Sequence, residues 1–318
     1  MTRHSQPKVS IVIPAYNHAA YLSEAIDGIL AQDYPNVELI VLNDGSTDET
    51  ERVLRQYPAD RFYRETQPNM GQSASLNKGW RLAGGDILGY LSADDKLRTT
   101  AVSRSIECLV RNPHVAVCYC DYELISSTSQ VLRRVFAPEY DYHAMLERAV
   151  CPPGPGAFFR REAFEKAGPW NSEYRQMPDY DFWLRMGLTG PFQRIPEPLA
   201  YFRIHEGSQT FTPASVARSE EALRIIDALY QRTDLPADVA TSKTEALSNA
   251  RLIAALYHWR AGRYSAGLHE LGRALKLRPS HLWSPSTARS VSSALLNRLR
   301  YRIAWPLGRT STTRSSAA

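Results

Sequence analysis

Along residues 8–122, short apolar runs alternate with stretches whose apolar positions recur every three or four residues. The runs 8–14, 37–42, 86–91 and 115–122 have the length and the polar borders of buried strands, while 21–32, 47–56, 72–83 and 98–111 carry helical periodicity. Strands alternating with helices predict an α/β fold built on a mostly parallel sheet with crossover helices. Ligands of such sheets bind outside the carboxyl ends of the strands. Three polar clusters follow apolar runs directly: Pro14-Ala15-Tyr16-Asn17, Asn43-Asp44-Gly45-Ser46 and Ser92-Ala93-Asp94-Asp95. Parallel strands deliver all three to one edge.

Residues 123–210 lose the alternation and gain Pro and Gly, which predicts a mixed region laid across that edge. Residues 214–305 read as helical throughout. Within them, residues 259–266 followed by 274–279 resemble one tetratricopeptide-type hairpin, a unit that needs stacked neighbours to bury its faces. Val291, Leu295, Leu299 and Ile303 recur every four residues, with Arg298, Arg300 and Arg302 mostly off that line. That pattern suits a helix lying on a membrane surface or one packed on the preceding hairpin. The expected division is therefore 1–210 and a helical extension over 211–318.

A chain of 318 residues with 43% hydrophobic content supports one substantial core and a second small domain. The polar opening gives way to an apolar run that Pro14 cuts short, so neither a signal peptide nor a membrane span is expected to begin there. Cys108, Cys118, Cys120 and Cys151 form no CxxC pair, and Cys118 and Cys120 share one face of a single strand, poorly placed to bridge each other. Reduced thiols and a cytoplasmic location follow. Nine of the 38 basic residues lie beyond Glu270, where no acidic residue occurs, leaving 29 against 33 acidic residues before that point. A nucleic-acid reader would carry its basic stripe on the folded body, so the basic tail points to an anionic membrane surface and not to nucleic acid.

Asp94 and Asp95 stand directly after the apolar run 86–91. Two carboxylates at a strand end are hard oxygen donors, which suit Mg²⁺ or Mn²⁺, ions that in enzymes mostly grip phosphates. Adjacent Asp residues also form turns, and Asn43-Asp44-Gly45 is itself a strong turn former. No Gly-rich turn follows the first strand, which weighs against a dinucleotide site and against a sugar nucleotidyltransferase.

The motifs VSIVIPAYN, ELIVLNDGSTDET, NMGQSASLNKG, DILGYLSADD, PGAFFRREAFEKAGPW, PDYDFWLRM and YFRIHEGSQT, in this order over residues 8–210, resemble a family 2 glycosyltransferase with the GT-A fold. The resemblance implies an inverting transfer from a nucleotide-diphosphate sugar, a UDP-sugar above all, to a saccharide or lipid-linked saccharide acceptor. It further implies surface polysaccharide assembly at the inner face of the cell membrane. Pro14, Ala15 and Tyr16 match the turn that holds the nucleotide, with the Tyr16 ring facing the base, and Asp44 matches the carboxylate that accepts from uracil. Asn77 and Lys78 match a helix lining the sugar-phosphate pocket. Asp94 and Asp95 match the metal and ribose site, and His205 matches a further metal ligand used by some members. Asp179 matches the general base, a role that needs a carboxylate within hydrogen-bond reach of the acceptor hydroxyl. Its other physical reading is a helix-starting carboxylate beside Pro178. Asp181 would face elsewhere and pair with a cation. Trp170 suits an acceptor-stacking ring or the core. The chain departs from the family pattern at three places: Asn43 and Ser92 stand where many relatives have Asp, and Pro178 where they have Glu. Pro178 and Ser92 favour the rival reading, a catalytically degenerate sugar-nucleotide binder with a helical interaction module.

Overall fold

The computed structural model describes residues 6–205, 214–283 and 287. Strand β1 (Val9–Ala15) is buried along its whole length and lies between β2 (Val37–Asn43) and β4 (Ile87–Tyr90), both parallel to it, with β3 (Tyr63–Thr66) parallel to β2. A strand covered on both faces has no polar side to show, which is why its sequence is almost continuously apolar. Helix α1 (Leu22–Leu30) turns Leu22, Ala25, Ile26 and Ile29 into the core, and the short α2 (Thr50–Leu54) buries Val53 and Leu54. Helix α3 (Gln72–Leu82) rides so close to β1 that a Cβ on Gly79 would sit 2.3 Å from Val12. Helix α4 (Ala101–Arg111) buries Val102, Ile106 and Leu109 along one stripe.

Beyond β4 the sheet becomes mixed. The two-residue β5 (Lys96–Leu97), β6 (Val117–Ile125), β7 (Val131–Val135), β8 (Phe158–Arg160) and β9 (Phe192–Arg203) complete nine strands in the order β3-β2-β1-β4-β8-β6-β9-β5, with β7 paired to β6. Strand β8 is wedged antiparallel between β4 and β6, and β9 runs parallel to β6. Residues expected to lie across the sheet edge therefore enter the sheet itself. Pro196 and Pro198 disguise β9, since proline cannot donate to a ladder. The ladder tolerates them through register shifts on either side of Asp121. Helices α5 (Tyr142–Arg148), α6 (Arg161–Ala167) and α7 (Pro178–Gly187) follow the strands of this half. Phe182 and Trp183 of α7 join Trp80 and Phe159 in an aromatic core, with Phe182 stacked on Trp80 at 5.8 Å.

The chain forms two compact units, Met1–Phe211 and Thr212–Ala318. The second holds α8 (Val216–Ser219), α9 (Glu221–Leu229), α10 (Ala237–Thr241), α11 (Lys243–Arg260) and α12 (Tyr264–Leu277). Helices α11 and α12 form a hairpin in which Trp259 lies flush on Gly267, and Ser248 donates to the Ala274 carbonyl at 2.8 Å. The repeat Val291-Leu295-Leu299-Ile303 and most of the basic tail lie outside the described residues. Among the described residues, no helix is long and apolar enough to cross a membrane. All four cysteines are free thiols.

Candidate active site

The carboxyl ends of β1 and β2 are stitched by side chains from the Asn43–Thr50 stretch. Asn17 adopts a left-handed φ of 56°. Its amide donates to Ser46 Oγ at 3.0 Å and its Oδ1 accepts from the Thr47 amide at 2.8 Å. His18 N donates to Thr50 Oγ1 at 3.2 Å, and Ala19 N to Asp48 Oδ2 at 3.0 Å. These bonds fix the turn after β1, in which Ala15 is buried and the Tyr16 ring is 44% exposed. Pro14 is buried as well. Asn43 donates from Nδ2 to Glu51 at 3.2 Å and to Thr66 Oγ1 at 3.3 Å. An ionised Asp has no proton to give and could not make the bond to Glu51.

Residues 92–95 make a tight turn, with Asp95 N donating to the Ser92 carbonyl at 3.0 Å. The two carboxylates then part. Asp94 Oδ2 lies 2.9 Å from His205 Nε2 and 3.7 Å from His18 Nε2. Asp95 is buried and accepts from the Arg203 backbone amide at 2.9 Å. Burial and the adjacent charge of Asp94 push the Asp95 carboxyl well up. Burial also opposes the charge on Asp94, but His18 and His205 outweigh it and hold Asp94 below the usual carboxylate range. His18 in turn is raised, because Asp94 and the Tyr16 carbonyl prevail over its burial.

Arg203 secures this turn from β9. Its buried guanidinium donates from Nε to the Asp94 carbonyl at 2.8 Å, and from Nη1 to the Ser126 carbonyl at 3.1 Å and Ser129 Oγ at 2.9 Å. Nη2 lies 3.3 Å from Glu24. His205 follows two residues beyond the end of this strand.

On the β2 side, Asp44 is buried and its carboxylate accepts from Gln67 Nε2 at 3.0 Å and from the Met70 and Gly71 amides, each at 2.8 Å. It holds the 67–71 segment at the start of α3, where Gly71 takes a φ of 86°. Lys78 is likewise engaged, donating to Glu65 at 2.7 Å and to Gln67 Oε1 at 2.9 Å. Asn77 makes a reciprocal pair with the Trp170 backbone, at 2.8 and 2.9 Å.

Asp179 sits in the first turn of α7, accepting from the Tyr180 amide at 2.9 Å, with buried Pro178 at the first helical position. Proline suits that position, since the N–H it lacks would have no partner inside the helix. Burial and then the charge of Asp179 push the Tyr90 hydroxyl well up, so Asp179 acts on a group at the carboxyl end of β4. Asp181 pairs with Arg185 at 2.6 Å. Trp170 is buried among Trp80, Tyr90 and Phe182, which makes it core, and its indole N–H has no acceptor among the described residues.

The structure thus brings Asp94 and His205 together and adds His18, which sequence reasoning passed over. His18, Asp94 and His205 each offer a donor atom within 4.8 Å of the others, a set that fits a divalent cation. Asp95 is not in that set. The signal for His18 was its position two residues after Tyr16, at the strand edge that also receives Asp94.

A family model described as glycosyl transferase family 2 matches residues 10–168. An uncharacterized glycosyltransferase of Rickettsia typhi is 34% identical over 228 residues, covering 68% of this chain and 70% of its own. Chondroitin synthase of Escherichia coli is 26% identical over 71% of this chain and 33% of its own length. Among solved structures, S. aureus TarS 1-349 in complex with UDP-GlcNAc superposes with a TM-score of 0.64 at 15% identity, over 96% of this chain and 93% of that one. The mannosyltransferase PcManGT from Pyrobaculum calidifontis, in complex with GDP-Man and Mn²⁺, gives 0.56 at 20% identity, over 93% and 88%. With half its length matched by the family model and that Rickettsia relative aligned over two thirds of it, the chain belongs to glycosyl transferase family 2 and has the GT-A fold.

Proposed function

We propose that this chain is an inverting transferase that moves a sugar from a UDP-sugar to the hydroxyl of a saccharide or lipid-linked saccharide acceptor in a single displacement. The observation that carries this reading is the convergence of His18, Asp94 and His205 at the strand edge where the family's donors bind, with Asp179 acting on the neighbouring Tyr90. Pro14 and Ala15 shape the turn that takes the nucleotide, and the exposed Tyr16 ring offers the base a face. Asp44 serves the base site by fixing the Met70 and Gly71 amides, and Asn77 and Lys78 brace the wall beside it. Asp94 and His205 would hold the cation, Mn²⁺ or Mg²⁺, while Asp95 anchors the 92–95 turn to β9. When bound, the cation supplies positive charge that stabilises the diphosphate leaving group. Asp179 takes the proton from the attacking hydroxyl, a contribution of about 10²- to 10⁴-fold.

The nucleotide-sugar complexes of TarS and PcManGT support a nucleotide-sugar donor, and the relatives named chondroitin synthase support a saccharide acceptor. We further place the reaction in surface polysaccharide assembly at the inner face of the cell membrane, with peripheral contact through the basic tail. Asp179→Asn is expected to keep UDP affinity within about two-fold while transfer falls by about 10² or more. Undiminished turnover in that variant would remove Asp179 from the mechanism. Wild-type protein that binds UDP yet neither transfers nor hydrolyses any UDP-sugar of a broad panel would favour a degenerate binder.

A further inference from the structure

The ring of His18 is oriented by its own loop. Its Nδ1 lies 2.7 Å from the Tyr16 carbonyl oxygen, which can only accept, so Nδ1 carries the proton. In the neutral ring, Nε2 is then left as a lone pair, and that lone pair stands 3.7 Å from Asp94 Oδ2. Two acceptors then face each other in a half-buried place, an arrangement that either a second ring proton or a metal cation between them satisfies. A carbonyl behind the far ring nitrogen is the support that metal-binding histidines ordinarily have. The loop is also fixed in advance, by His18 N on Thr50 Oγ1 and by Asn17 on Ser46 and Thr47. Metal–donor bonds of about 2.1 Å put neighbouring donors about 3 Å apart. Asp94 Oδ2 is 2.9 Å from one imidazole nitrogen and 3.7 Å from the other, close to that spacing before any adjustment.

Resting on the metal-assisted reading given above, we propose that His18 is the third protein ligand of the cation, and that the resulting two-imidazole, one-carboxylate set selects Mn²⁺ over Mg²⁺. Mg²⁺ favours oxygen donors and sheds water reluctantly, whereas imidazole is a good ligand for transition-series ions. Mn²⁺ accepts both the imidazoles and the oxygens of a diphosphate.

The test titrates Mn²⁺ alone into the full chain, following the free ion by electron paramagnetic resonance, with Mg²⁺ as competitor. Pulsed measurements on the bound ion count directly ligated imidazole nitrogens. Wild type should bind Mn²⁺ about ten-fold or more tighter than Mg²⁺ and show two such nitrogens. His18→Gln should show one, with Mn²⁺ affinity lowered about 10- to 100-fold, at least the loss that removing an outer-shell partner causes. Its Mg²⁺ affinity should change much less. One imidazole in wild type, or unchanged Mn²⁺ affinity in His18→Gln, overturns the role of His18 and leaves the cation site standing. Mn²⁺ binding that survives Asp94→Asn unchanged, or that is absent in wild type, overturns the cation site itself. Thermal unfolding of each variant separates loss of a ligand from loss of fold.

Discussion

Arg203 is the residue on which the geometry of the strand edge most depends. Its side chain is fully buried, and it ties the Asp94 carbonyl, Ser126, Ser129 and Glu24 to the end of β9, two residues before His205. A lysine has one compact charge where the guanidinium presents a planar fork of donors, so it cannot reproduce these contacts. Arg203→Ala takes a donor from the Asp94 and Ser126 carbonyls and empties the buried place of the guanidinium, while Glu24 keeps Lys96 and Ser129, and it is expected to lower stability by about 2–4 kcal/mol in urea titrations. A loss under about 1 kcal/mol, the range of an exposed pair, would show that the fork is dispensable. The neighbouring aspartates teach a related lesson. Sequence alone joins Asp94 and Asp95 as one pair of metal carboxylates, because adjacency is all it displays. What separates them is a backbone amide 108 positions away, Arg203 N, which claims Asp95 and leaves Asp94 to the histidines.

At the scale of elements, β9 joins the two halves of the site, and Asp121 holds it in place. Asp121 of β6 accepts from Arg194 of β9 at 2.9 and 3.0 Å, from Arg134 of β7 at 2.8 Å and from the Ala137 amide at 3.0 Å. Burial works against its charge, but the two arginines and the amide prevail and hold the carboxyl below the usual range. A carboxyl depressed in the folded state contributes stability that is whole above its unfolded value, about pH 4, and is lost as pH falls through the folded value. Asp121→Asn is therefore expected to lower the melting temperature at pH 7 and to flatten its decline between about pH 5 and pH 3. An identical acid limb in both proteins would exclude Asp121 as a contributor. The strands of the first half were legible because each is a continuous apolar run closed by a polar turn. Strand β9 was not, since Pro196 and Pro198 read as loop and the bulges that admit them belong to the pairing with β6. The three-residue β8 is too short to carry a period. His18 went unseen for a similar reason: its partners come from three separate strand ends, and no local pattern marks their meeting.

For the molecule as a whole, the parallel half-sheet was legible from the alternation of apolar runs and helical stretches, and the family from the resemblance carried by seven ordered motifs over residues 8–210. The division of labour within the site was not, because it depends on which side chains are already engaged. Asp44 and Lys78 illustrate this, each matched to the nucleotide from its motif and each bonded to neighbouring protein groups. The central claim is that the strand edge holds a nucleotide diphosphate through a cation seated on Asp94. Calorimetric titration of UDP into the full chain, with Mn²⁺ and then with EDTA in its place, tests it most directly. The account predicts UDP binding at least about ten-fold tighter with Mn²⁺, a difference of about 1.4 kcal/mol, and the disappearance of that difference in Asp94→Asn. Equal UDP affinity with and without Mn²⁺ in the wild-type chain would contradict it.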